Sequence, residues 1–229
     1  MRKIPFDKAK LEEIAARWPT PFHIYDAKAI RENAKRLKKA FAWNKGFREY
    51  FAVKAAPNPH LMKLLKEFGF GSDCSSMAEL VLSEKVGNVG EAIMFTSNDT
   101  PADEFRKAWE LGAIINLDDI THWDWLLESV GNPDAAEFEN RVMCCRYNPG
   151  PLKGGNAIIG KPEEAKYGFT REQLFECYAK MKAAGVKRFG IHTMVASNEL
   201  DPEYIIDTAK LLFELAAEIS AVTGIDFEF

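Results

Sequence analysis

Apolar and polar positions along this chain switch between two periods. Short runs rich in aromatic and β-branched residues lie near 49–54, 70–74, 92–95, 113–117, 142–148, 188–193 and 226–229, and each reads as a strand. Between them apolar residues recur at helical spacing. Leu61, Leu64, Leu65 and Phe68 share one face of the first such segment, and Ile205, Ala209, Leu212, Ala216 and Ile219 share one face of the last. Helix-start signals fall where these segments begin: Asn58-Pro59, Thr100-Pro101, Thr170 with Gln173 three residues on, and Asp201-Pro202. Two more helices, about 7–17 and 26–41, precede the first strand, with a short extended piece at 20–25 between them.

Strict alternation of strand and helix predicts a parallel sheet with helical crossovers. The expected architecture is α/β, a (β/α)8 TIM-type barrel truncated at about the seventh strand, with residues 1–229 forming one incomplete barrel domain. An open doubly wound sheet could also hold seven strands, but no glycine-rich dinucleotide fingerprint follows the first one.

Composition narrows the function classes. The chain has 229 residues, 47% of them hydrophobic, and a net charge of −4, enough for one large core and no support for nucleic-acid binding. The basic cluster Arg36-Leu37-Lys38-Lys39 reads as the solvated face of a helix. No long apolar stretch follows the charged N-terminus, so no signal peptide or membrane span is expected. Cys74, Cys144, Cys145 and Cys177 lack CxxC or zinc spacing. A reduced, cytoplasmic, metal-free protein is the expectation.

Lys54 stands out. It closes the aromatic run that begins at Arg48 and precedes the Asn58-Pro59 helix start, which puts it at the C-terminal end of a strand, where βα barrels assemble active sites. An ammonium held there among apolar neighbours is expected to have its pKa pushed down, and a lysine that loses its proton near neutrality can form a Schiff base. Arg146, in an otherwise apolar strand, must find a partner in the barrel interior or at its mouth. Asp73 reads equally as a carboxylate facing the lysine or as a turn residue. Ser76-Met77-Ala78-Glu79 is a capping box, which accounts for Glu79 without any chemistry. The connection 148–168, carrying Gly150, Gly154, Gly155 and Gly160, is long enough to be a mobile segment over the site, and its glycines do not form a phosphate-binding loop.

Together these stretches resemble a known group. Pro21-Phe22-His23-Ile24-Tyr25, Tyr50 to Asn58, Gly71-Ser72-Asp73-Cys74-Ser75-Ser76-Met77-Ala78-Glu79, Cys145-Arg146-Tyr147-Asn148-Pro149, Lys166-Tyr167-Gly168-Phe169 and Gly190-Ile191-His192 are similar, in order, to the motifs of the fold type III, alanine-racemase-like PLP decarboxylases. Their order and spacing resemble diaminopimelate decarboxylase most closely, over its N-terminal barrel portion. The resemblance implies that Lys54 carries pyridoxal 5'-phosphate covalently, with Asp73 and Arg146 beside the cofactor, Glu79 close to it and Ser197 on its phosphate. Many relatives have a histidine at the place of Met194, stacked on the cofactor ring, and a glycine at that of Ala196. Met194 can pack on an aromatic face, and His192, two residues away on the same strand face, reads equally as a partial substitute or as a core histidine satisfied by a neighbour.

By the same resemblance the complete enzyme continues with a glycine-rich phosphate loop, a glutamate for the pyridine nitrogen and a C-terminal β domain that completes the site in a homodimer. This chain alone is then expected to be inactive. The implied activity is decarboxylation of a small amino-acid substrate, meso-diaminopimelate foremost, with ornithine, arginine or carboxynorspermidine as rivals. A non-catalytic decarboxylase-like scaffold and a class I aldolase-type barrel are the readings from other classes.

Overall fold

The computed structural model describes residues 4–155, 160–161, 164–165 and 167–229. Two helices come first, α1 (Lys8–Arg17) and α2 (Ala27–Ala40), capped by the side chains of Asp7 and Asp26. Six strands follow: β1 (Tyr50–Ala52), β2 (Gly71–Cys74), β3 (Ile93–Thr96), β4 (Ile114–Leu117), β5 (Val142–Tyr147) and β6 (Arg188–Thr193). They form one parallel sheet in chain order. The crossovers are α3 (Pro59–Lys66), α4 (Met77–Lys85), α5 (Ala102–Glu110), α6 (His122–Ser129) with the short α7 (Ala135–Phe138), and α8 (Arg171–Ala183); α9 (Pro202–Thr223) follows β6.

Sequential order with every crossover helical is the beginning of a barrel. The seventh pairing is present as a single parallel bridge from Phe227 to Phe189, extended by hydrogen bonds from Glu228 N to Phe189 O and from Ile191 N to Phe229 O at 3.0 and 2.9 Å.

β4 and β5 are buried along their whole length, as strands covered on both faces must be. Their outward residues, among them Ile115, Leu117, Met143 and Cys145, pack under the helices with Phe105, Phe138, Leu174, Tyr178 and Met181. Each large apolar side chain buried this way contributes about 1.5–3 kcal/mol. The inward residues Met94, Ile114, Val142 and Cys144 form a second, smaller cluster with Tyr50. Tyr50 also meets the ring of Phe229, 5.9 Å away and nearly perpendicular, so the sheet curls until its first strand touches the segment beyond its last. Gly190 allows that approach, because any side chain there would run into Cys144 Sγ and Phe229.

The caps at Asn58, Thr170 and Asp201 form as the sequence predicts. Three expectations need correction. β1 ends at Ala52, and Lys54 lies in the 3-10 turn Val53–Ala55 that follows. Ser76 makes no side-chain capping bond. Instead, the Glu79 carboxylate accepts from Ser75 N and from the hydroxyls of Ser75 and Ser76 at 3.0–3.2 Å, and Met77 N donates to Glu104 of α5 at 2.8 Å. Ile205 is 57% exposed, so only the later residues of the α9 face, down to Ile219, are packed. The connection 148–168 opens with a 3-10 turn, Gly150–Leu152, and its far end is tied down by Asn148 N to Phe169 O and Phe169 N to Arg146 O at 2.9 and 2.7 Å. Residues 156–159, 162–163 and 166, including Lys166 of the predicted motif, lie outside the described residues.

Candidate active site

Parallel register decides which side chains share the inside of the sheet. Ala52 pairs with Asp73, Asp73 with Met94, Thr96 with Asn116, Asn116 with Cys144, and Arg146 with His192. Paired residues point the same way, and every second residue returns to the same face. The interior therefore changes character along the strands. Its lower level is apolar: Tyr50, Met94, Ile114, Val142 and Cys144. Its upper level, at the C-terminal ends, is polar: Asp73, Thr96, Asn116, Arg146 and His192, with Asp118 one residue beyond β4. Lys54 stands at the same end, after β1.

At the centre of this level is a buried ion pair. Arg146 Nη1 lies 3.1 Å from Asp118 Oδ1, with side chains 10% and 2% exposed. Asp118 N donates to His122 Nδ1 at 3.4 Å. Burial holds the Asp118 carboxyl above the usual carboxylate value even with Arg146 beside it. The outer face of the guanidinium is covered by the Tyr167 ring, 4.1 Å from centroid to Cζ. Tyr167 is held there because Gly168 N donates to Asp118 O at 2.9 Å and Asn148 Nδ2 to Tyr167 O at 3.0 Å. Arg146, Tyr167, Met194 and Val195 line one small cleft, with Met194 39% exposed on its rim.

Two polar atoms at this level are buried without a partner among the described residues: His192 Nδ1 and Asn116 Oδ1. Burial and the neighbouring Arg146 charge push the His192 imidazole down to about 4, so it is neutral near pH 7. Asn116 spends its amide on Thr96 Oγ1 at 3.1 Å and leaves its carbonyl oxygen facing inward. Buried polar groups are nearly always satisfied, so orphans of this kind mark places where a ligand or water completes the set. Burial also raises Asp73 to about 6, against the pull of Lys54 and Arg146 and with the help of Glu79.

The structure thus brings Asp73 within electrostatic reach of Lys54 and Arg146, and Arg146 within reach of His192, at the barrel mouth, with Met194 beside Arg146. Ser197 is half-buried in the bend after β6. The apolar enclosure expected around Lys54 is absent among the described residues; the side chain is exposed and forms no ion pair with them. Asp118, Asn116 and His122 were not singled out from the sequence. Asp118 carried the same signal as Arg146, a charge at the end of an otherwise apolar strand.

An exposed amine at a barrel strand end, a carboxylate able to exchange a proton near neutrality, a fixed guanidinium, an unsatisfied amide oxygen and an unpartnered imidazole nitrogen suit a small molecule with an aldehyde and polar ring substituents. Comparison with known proteins gives this a family. The family described as pyridoxal-dependent decarboxylase, pyridoxal binding domain, matches residues 27–229. Protein TabA of Pseudomonas amygdali pv. tabaci is 36% identical over 219 residues, which are 96% of this chain and 50% of TabA. A diaminopimelate decarboxylase of Methanothermobacter thermautotrophicus is 31% identical over 95% of this chain and 50% of its own length. The crystal structure of diaminopimelate decarboxylase from Helicobacter pylori complexed with L-lysine superposes with a TM-score of 0.78 at 24% identity, covering 95% of this chain and 54% of that one. The chain spans about half the length of the curated relatives it matches. The barrel is of the same fold as that crystal structure, and the chain belongs to the pyridoxal-binding domain family of the pyridoxal-dependent decarboxylases.

Proposed function

We propose that this chain is the pyridoxal phosphate-binding part of an amino-acid decarboxylase that converts meso-diaminopimelate to L-lysine and carbon dioxide. The observation that carries the reading is Lys54 in the turn just after β1, within electrostatic reach of an Asp73 whose carboxyl sits at about 6. When bound, pyridoxal phosphate supplies the electron sink that lets a carboxylate leave as carbon dioxide. Lys54 holds the cofactor through its amine. Asp73 steadies the Lys54 ammonium and can take or give a proton near neutral pH. Arg146 presents guanidinium donors from a fixed position, and neutral His192 offers Nδ1. Met194 offers its thioether where many relatives stack a histidine, and Ser197 is assigned to the phosphate.

The substrate assignment draws support from the diaminopimelate decarboxylase relative. Residues 1–229 form one barrel domain in this reading, and the longer protein works as a cytoplasmic homodimer. All four cysteines are free and buried, and no described helix is long and apolar enough to cross a membrane; both fit that placement.

Incubation with pyridoxal phosphate, reduction with borohydride and peptide mapping tests the cofactor site. Label concentrated on Lys54 is expected, and label scattered evenly over surface lysines would overturn the assignment. Carbon dioxide release by the longer protein from meso-diaminopimelate, ornithine and arginine tests the substrate. A preference for either of the last two would remove diaminopimelate.

A further inference from the structure

We infer that Asp118 is a positioning residue of the mouth, which clamps Arg146 between its carboxylate and the Tyr167 ring and so fixes the guanidinium beside His192. The inference rests on the reading above in one respect, that Arg146 and His192 face the cofactor.

Four observations carry it. Asp118 is 2% exposed and its Oδ1 lies 3.1 Å from Arg146 Nη1, so the carboxylate points inward at the guanidinium. The guanidinium also lies over the Tyr167 ring, its Cζ 4.1 Å from the ring centroid. Asp118 itself ties the two halves together, because its backbone oxygen accepts from Gly168 N, next to Tyr167. Its backbone N–H is held in turn by His122 from α6. A long flexible side chain with a salt bridge on one edge and an aromatic plane on its face has few orientations left. Arg146 pairs in register with His192 on β6, where burial and the nearby Arg146 charge lower the imidazole, so the clamp determines how the guanidinium faces the His192 side of the mouth, where Nδ1 is left without a partner among the described residues. A substrate or cofactor group entering the mouth then meets a preset donor, with no side-chain entropy left to lose.

The test needs a readout that a general loss of packing would not move. Phenylglyoxal modifies accessible guanidinium groups, and peptide mass spectrometry reports Arg146 separately from the exposed Arg36. In the unaltered chain Arg146 should be protected relative to Arg36. In Asp118→Asn its modification rate should rise about tenfold while Arg36 is unchanged, and the affinity for pyridoxal phosphate, followed by its visible absorbance, should weaken by about tenfold, or 1.4 kcal/mol. An Arg146 that stays protected in a folded Asp118→Asn protein would overturn the inference. So would an unchanged affinity alongside normal Lys54 labelling. Should Asp118→Asn not fold, Tyr167→Leu removes the other jaw; faster Arg146 modification there supports the clamp, and an unchanged rate overturns it. Release of Arg146 in a protein whose Lys54 takes no label would sink the cofactor reading and leave the clamp standing.

Discussion

At the N-terminal ends of the strands, Arg48, Glu91, Arg188 and Glu228 join in a chain of ion pairs, each 2.6 Å long, and Tyr50 donates to Glu91 O at 2.7 Å. At the C-terminal ends Asn116 Oδ1 and His192 Nδ1 are buried unpaired, Asp73 is held near 6, and Arg146 carries a buried charge. The floor links β1, the approach to β3, β6 and the bridge at Phe227. It does so with side chains 30–49% exposed, so its charges stay partly hydrated. Burial tends to raise Glu91, but its bonds to Arg188 and Arg48 outweigh that and lower it. The mouth has the opposite arrangement: desolvated groups, incompletely satisfied, kept where a ligand would meet them. Unsatisfied and strained groups concentrate at functional sites, and the rest of the fold offsets their cost.

The contrast can be broken experimentally at either end. The largest effect is all-or-none. Lys54→Ala should abolish borohydride-fixed labelling by pyridoxal phosphate at the mouth while leaving thermal unfolding unchanged, because the exposed side chain supports no packing. Full labelling of a neighbouring lysine in that variant would show that the mouth does not select its amine.

Next is Arg146→Leu, which strands the buried Asp118 and should cost about 3 kcal/mol at neutral pH. The double variant Arg146→Leu with Asp118→Leu should recover most of the loss in urea titrations. An additive double loss would mean that the pair is not a unit.

Asp73→Asn should stabilise the protein above pH 6, on the order of 2 kcal/mol, by removing a carboxylate that burial penalises. The sign follows from the raised value: the Asp73 contribution is present below 3.8 and is lost as pH rises through about 6. His192 is lowered, so its contribution is present above 6.5 and is lost as pH falls through about 4. The two slopes oppose each other in the unaltered chain. In Asp73→Asn stability should therefore climb between pH 4 and 6.5, which unfolding midpoints at successive pH values would register. A flat profile there would contradict the assigned His192 environment.

The smallest effect belongs to the floor. Glu91→Gln should cost about 1 kcal/mol, since its partners are exposed enough for water to screen them, and should leave Lys54 labelling untouched. Lost labelling would mean that the two ends are coupled.

Much of this arrangement was legible before the structure. The strands and their end residues follow from apolar runs, and the caps at Asn58, Thr170 and Asp201 from local hydrogen-bond chemistry, because both are short-range properties. Lys54, Asp73 and Arg146 could be placed at one barrel end because strand ends converge there. What failed depended on distant partners. At Ser76 the hydroxyl donates to Glu79 Oε1 and makes no cap bond, while Met77 N turns to Glu104 of α5, which nothing in the local motif announces. Ile205 fits the helical stripe and is exposed all the same, since a stripe records periodicity and not what lies against it. Asn116 sits within, and Asp118 just beyond, an apolar run that signals only a strand. Their importance appears once register sets Asn116 against Cys144 and the pair with Arg146 is seen.

The ring contact between Tyr50 and Phe229 bears on the order in which the molecule can be made. Synthesis delivers β1 early and residue 229 much later, so the inner face of the first strand waits through five further strands for its neighbour. Contacts this distant along the chain are slow to form and leave their surfaces open to wrong pairing meanwhile. Pulse-labelled hydrogen exchange during refolding should find the β4–β5 amides protected first and those of β1 among the last.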